Sequence, residues 1–160
     1  MIIILEGIVM CFVLLITCVV LIANGPVGGV VFYEDDVKAR CIQNKLITAK
    51  RLKKRFTLTS IALFVPYFTI VPFMVYYINH ATGFWNAFWQ ISIILWIQNI
   101  FDRLFIDWYW VNHTKAWDIP GTEDLKPYIP TKVLIGKWLG TILLPPIIAA
   151  MNAGIASLFM

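Results

Sequence analysis

Charged and aromatic side chains crowd the segment from Gln98 to Asp124 of this 160-residue chain. Asp102, Arg103 and Asp107 follow a long apolar run, and His113 comes six residues after Asp107. Acidic, basic and imidazole groups that share one pocket can bind a charged ligand or move a proton. The candidate binding residues are Asp102, Arg103, Asp107, Tyr109, Trp110, His113, Glu123 and Asp124.

If an α-helix continues past Asp102 to about residue 114, the spacing of these residues predicts which of them share a helix face. At about 100° per residue, side chains three or four positions apart share a face. One face then carries Gln98, Asp102, Tyr109 and His113. A second face carries Asn99, Arg103, Asp107, Trp110 and Thr114. Arg103 and Asp107 are four residues apart, so they can form an ion pair.

This region has two interpretations. Tryptophan and tyrosine favour the headgroup level of a membrane, and nearby charges anchor a helix end there, so the segment can be an interfacial belt. Alternatively, it lines a polar pocket covered by a structured lid over residues 118–124, before Pro127 and Pro130. The number of acids beside a histidine is more than a belt requires, and both interpretations stay open.

Known catalytic and metal-binding patterns do not occur in the sequence. On one α-helix, Asp102 and His113 would lie about 16 Å apart along the axis, too far to share an ion. The G-x-S-x-G, P-loop and G-x-G-x-x-G motifs are absent. We therefore expect no metal and no cofactor. An acid/base pair that joins Asp102 or Asp107 to Glu123 or Asp124 remains the catalytic alternative.

The composition is that of a membrane protein. Hydrophobic residues make up 60% of the chain and charged residues 14%, whereas soluble domains average about 45–50% and about 25%. A soluble domain of this size could not bury so much apolar surface. The net charge of +4 fits a topology signal or an anionic leaflet, and we expect no nucleic-acid partner.

Four apolar runs predict an all-α, four-helix membrane bundle. They span residues 2–23, 57–78, 85–102 and 133–157, each about long enough to cross the hydrocarbon region. Asn24-Gly25-Pro26 should break the first helix. The first polar loop, 34–55, should contain a short surface helix, since Asp35 and Asp36 suit a first turn.

The distribution of positive charge predicts the topology. Eight of the 13 Lys and Arg residues lie in 34–55, and the other five lie in 102–137. By the positive-inside rule, the loops 34–55 and 103–132 are cytoplasmic. Both termini are then non-cytoplasmic, and the protein is a multi-pass protein of the cell membrane.

Glu6 is the acidic residue that lies clearly inside a predicted span. An ionisable residue in a span is a site candidate by default. Its place within two turns of the N-terminus favours a simpler role, in which the carboxylate reaches the interface near the positive end of the helix dipole.

The function that these features favour is binding or transport of a small molecule, lipid or ion through a pocket open to the cytoplasm. Four helices rarely enclose a pathway alone, so this implies a homo-oligomer or a partner membrane protein, in addition to membrane lipids. The alternatives are a membrane-bound enzyme acting on a lipid-linked substrate at the cytoplasmic face, and an accessory subunit of a larger membrane complex.

Overall fold

The computed structural model describes residues 1–158, and every regular element among them is helical. The main helices are α1 (Ile2–Ile22), α2 (Asp35–Gln43), α3 (Ala49–Ile78), α4 (Phe84–Phe101) and α5 (Thr131–Ser157). Three of them, α1, α3 and α5, are long and apolar enough to cross a membrane. Their outward apolar side chains stay uncovered by protein, as in Val20, Leu139 and Leu143. In a membrane, lipid would cover this surface.

Helix α1 packs inward along one stripe and ends where the sequence predicts a break. Its buried positions include Glu6, Met10, Leu14 and Cys18, spaced four apart. After Ile22, Gly25 takes a φ of 106°, a region that favours glycine. A 3-10 segment, Pro26–Phe32, then leads the chain away from the helix axis.

Helix α4 lies at the centre of the bundle and packs against both α1 and α5. Ala87, Ile91, Ile94 and Leu95 are completely buried. The Trp85, Trp89 and Ile100 side chains of α4 stay exposed, and the helix carries several amide side chains. For this reason it does not qualify as a span by apolarity, although it is helical over the predicted range 85–102.

Beyond Phe101, helix α4 continues as a π-helix over Asp102–Val111. The sequence-based faces assumed α-helical geometry through this stretch. Hydrogen bonds from residue i to i+5 widen each turn, so residues five apart approach a common face. The predicted grouping of side chains is therefore changed. A second π-helical turn, Phe73–Ile78, ends α3 just after Pro72, which has no backbone N–H to donate.

The polar segments assemble at one end of the bundle, which we call the charged end. Helix α2 is the predicted short helix, and it buries Val37 and Cys41. The 114–130 segment packs nearby through its buried residues Trp117, Ile119, Tyr128 and Ile129.

Tyrosine and threonine hydroxyls hold the 114–130 segment in place. Tyr33 donates to the carbonyl of Trp117 at 3.1 Å, and its ring stacks on Tyr128 with centroids 4.6 Å apart. Buried Thr122 donates to the carbonyl of Ile119 at 2.8 Å. These contacts give a short, loop-rich segment a fixed position.

Gly29 permits the close approach of Trp117 to the 3-10 segment. A Cβ at this position would lie 2.5 Å from the indole ring, well inside van der Waals contact. We expect Gly29→Ala to lower the free energy of unfolding by about 1–3 kcal/mol because the buried ring must shift. Thermal unfolding in detergent, followed by tryptophan fluorescence, measures the change.

Gly140→Ala is the matched control, because a Cβ there meets nothing within 4 Å. Alanine also favours the helix over glycine, so the control should unfold at an equal or higher temperature. Equal losses in the two variants would contradict the packing of Trp117 on Gly29.

Candidate functional site

Arg103 lies at the centre of a set of paired charges at the charged end of the bundle. Its guanidinium forms ion pairs with Asp102 and with Asp107. Its Nε also donates to the Thr141 hydroxyl of α5 at 3.1 Å. The Arg103 side chain is only 10% exposed, so these partners replace most of its hydration.

Lys137 of α5 completes the set. Its Nζ lies 3.0 Å from each carboxylate oxygen of Asp107, whose side chain is 7% exposed. Two carboxylates thus face two cations, and we call Asp102, Arg103, Asp107 and Lys137 the ionic cluster. Because each buried ion costs several kcal/mol to dehydrate, an unbalanced charge here would be strongly unfavourable.

The π-helix brings both aspartates to one arginine. Asp102 and Asp107 are five residues apart, and an α-helix would place them on different faces, as the sequence-based analysis did. In the π-helix, five residues correspond to one hydrogen-bonded turn, so both carboxylates reach Arg103. The predicted Arg103–Asp107 ion pair is present.

A cavity of about 250 Å³ borders the ionic cluster. Its remaining walls are apolar or aromatic and come from α1, α3, the 3-10 segment, the end of α4 and the 114–130 segment. They comprise Leu14, Cys18, Phe32, Tyr33, Leu63, Ile106, Val111, Trp117 and Ile129. The indole N–H of Trp117 is buried and has no acceptor among residues 1–158. The cavity thus combines a charged wall with an apolar body, and Trp117, whose indole N–H is unsatisfied within the described part of the chain, is one of its lining residues.

The aromatic and imidazole candidates lie outside the cavity. Tyr109 is 49% exposed. Trp110 packs edge-on against Trp117, with ring centroids 5.2 Å apart, and so supports the cavity wall from behind. His113 Nδ1 lies 2.6 Å from the carbonyl of Trp108 and borders a separate surface depression.

The two acidic candidates of the 114–130 segment serve local contacts. Asp124 accepts two hydrogen bonds from Arg40 of α2, at 3.1 and 3.0 Å, and these lower the pKa of its carboxyl. Glu123 accepts from the backbone of Gly121 at 3.0 Å. Hydrogen bonds from its own backbone and from Gly121 lower its pKa. Both carboxylates fasten the segment at its exposed edge.

Lys137 and Thr141 are the site residues that sequence reasoning missed. The sequence offered one signal, since Lys137 is the only Lys or Arg inside any of the four predicted spans. A cation within a span calls for a buried partner. Among the described residues 1–158, no three His, Cys, Asp or Glu side chains are grouped closely enough to hold a metal ion.

Comparison of the chain with protein-family models, curated proteins and solved structures found no match. The chemistry of the site must therefore be argued from its own residues.

Removal of Lys137 leaves the buried Asp107 with one cation instead of two. We expect Lys137→Met to lower the free energy of unfolding by about 3 kcal/mol, as breaking a buried ion pair does. Adding Asp107→Asn should recover part of that loss, because the uncompensated charge is gone. A double-mutant cycle by denaturant unfolding in detergent measures the coupling.

Lys38→Met is the matched control, because it removes the same side chain from the exposed pair with Asp35. Exposed pairs contribute about 0–1 kcal/mol. If the two Lys→Met variants lose equal stability, or if the cycle shows no coupling, Lys137 does not hold Asp107 as described.

Proposed function

We propose that the chain is a four-span integral membrane protein with both termini on the non-cytoplasmic side. Helix α4 supplies the fourth span, and its 18 residues reach about 27 Å at 1.5 Å per residue. Its place between α1 and α5 supports this, since both partners are apolar enough to span. The concentration of Lys and Arg at the charged end supports a cytoplasmic location for that end.

The function that the site supports best is binding of a small amphipathic ligand from the cytoplasmic face. One observation carries it, namely the cavity of about 250 Å³ that has the ionic cluster on one side and apolar groups elsewhere. Ligand pockets are commonly apolar with a few convergent polar groups. The 114–130 segment acts as the lid, because Trp117 and Ile129 close the cavity on that side.

The charges of the site favour a particular class of ligand. The ionic cluster balances its own charge, so a ligand with a net charge gains little unless it displaces an internal pair. A neutral or zwitterionic polar group fits better, with Trp117 Nε1 as a donor. The volume is below the roughly 300–1,000 Å³ of drug-sized pockets, so the occupant is a small solute or one part of a lipid.

The alternatives have less support from the geometry. A general acid or base must be free to exchange a proton with the substrate, whereas Asp102 and Asp107 are both held by cations. Transport through the cavity requires a second copy or a partner membrane protein. An accessory subunit would need no ligand at all, so ligand occupancy separates it from the binding module.

Native mass spectrometry of the intact protein from mild detergent tests for the ligand. We expect a stoichiometric small molecule or lipid on the wild-type chain and its loss in Leu63→Trp, because the indole would fill space at the cavity wall. The matched control is Leu139→Trp on the lipid-facing side of α5, which should keep the adduct. A bare wild-type chain, or equal retention by both variants, contradicts the proposal.

The topology has its own test. With the three native cysteines replaced, we expect Thr82→Cys in intact cells to react with a membrane-impermeant maleimide. Gln43→Cys should react only after the membrane is permeabilised. Both positions are exposed in the structure, so access depends on the side of the membrane. The reverse labelling pattern, or labelling of both in intact cells, contradicts the assignment.

A further inference from the structure

A second buried acid, Glu6, lies at the end of the bundle opposite the ionic cluster. It is 5% exposed, on the same face of α1 as Met10, whose side chain belongs to the apolar core. The sequence favoured a carboxylate that reaches the interface. The structure corrects this, because Asn79 from the end of α3 meets the carboxylate inside the bundle.

A chain of amide side chains meets Glu6 through Asn79, whose Nδ2 already makes two hydrogen bonds. Asn79 Nδ2 donates to Glu6 Oε2 at 2.9 Å and to Gln90 Oε1 at 2.8 Å. Gln90 Nε2 in turn donates to Asn86 Oδ1 at 2.9 Å. Two oxygens remain, Glu6 Oε1 and Asn79 Oδ1, and both are buried without a hydrogen-bond donor among residues 1–158. Buried acceptors of this kind are costly.

No Lys or Arg side chain is available to compensate Glu6. The segments 1–37, 56–102 and 138–160 contain neither residue type. The titratable groups on the elements that reach this end are the Met1 amine, Tyr76, Tyr77 and His80. None of them forms a salt bridge with Glu6 within residues 1–158.

We propose that Glu6 and Asn79 bind one monovalent cation, either a proton or a sodium ion, at this end of the bundle. The two side chains are already joined through Asn79 Nδ2, and each has one unsatisfied oxygen. A single positive charge shared by these oxygens balances the buried carboxylate and satisfies both acceptors. This site is separate from the ligand cavity and does not depend on the proposed function.

The two cations would complete the pair in different ways. A proton on Glu6 Oε1 donates to Asn79 Oδ1, while Asn79 Nδ2 donates back to Oε2, so the acid and the amide form a closed pair. A sodium ion instead takes one oxygen ligand from each side chain, and water or backbone oxygens complete its coordination shell, as for other hard cations.

Two measurements on the detergent-purified full chain distinguish a bound sodium ion from a bound proton. Retention of ²²Na⁺ by wild type, saturable and lost in Glu6→Gln, identifies a sodium site. A carboxylic-acid C=O band in the infrared spectrum at neutral pH, absent from Glu6→Gln, identifies a bound proton. An ionised carboxylate band together with no retained sodium overturns the proposal.

The Glu6→Gln variant should fold, because its amide NH₂ can donate to Asn79 Oδ1 in place of the cation. We expect its melting temperature to equal or exceed that of wild type. Should it fail to fold, Asn79→Leu decides the matter, since it keeps Glu6 and removes one of the two oxygens. We expect it to lose sodium retention or to shift the infrared band. Asn86→Ala, at the outer end of the amide chain, should change neither, and an unaltered Asn79→Leu overturns the proposal.

Discussion

The balance of charge between α4 and α5 constrains the rest of this structure. A buried carboxylate without a partner costs several kcal/mol, so Asp107 must face Lys137 and Arg103 wherever the helices pack. This pairing constrains the position of α5 along the axis of α4. The π-helical turn brings Asp102 and Asp107, five residues apart, towards a common face, and both pair with Arg103. The cavity lies beside this junction, and all four residues of the ionic cluster line it.

Buried carboxylates are compensated in different ways at the two ends of the bundle. At the charged end, the chain supplies its own cations, and Asp102 and Asp107 are compensated internally. The segments that reach the opposite end contain no Lys or Arg, and the proposed membrane orientation rests on the same asymmetry. None of the ion pairs within residues 1–158 compensates the buried Glu6 there. The uneven distribution of Lys and Arg therefore underlies both the proposed topology and the proposed ion site at Glu6.

Local patterns in the sequence predicted much of the fold, but they did not predict pairings between residues that lie far apart in the chain. The helical segments, the break at Gly25 and the short helix that begins at Asp35 all follow from apolar runs, backbone preferences and acids suited to a first turn. So does the Arg103–Asp107 pair, which lies within one turn. The contact of Asp107 with Lys137 crosses 30 residues, and no local rule specifies it. The π-helix was not predicted, because the assignment of side chains to faces at 100° per residue assumes an α-helix.

The 114–130 segment is held more firmly at the cavity than at its outer edge. Trp117 rests on Gly29 and is buried, and Tyr33 and Tyr128 stack behind it. At the edge, Arg40 and Asp124 form an exposed pair, which contributes little and weakens with salt. Because the inner contacts exclude water and the outer contact does not, the outer contact at Asp124 is the weaker attachment. In the proposed binding module, Trp117 is therefore both a firmly held barrier to the ligand and its hydrogen-bond donor.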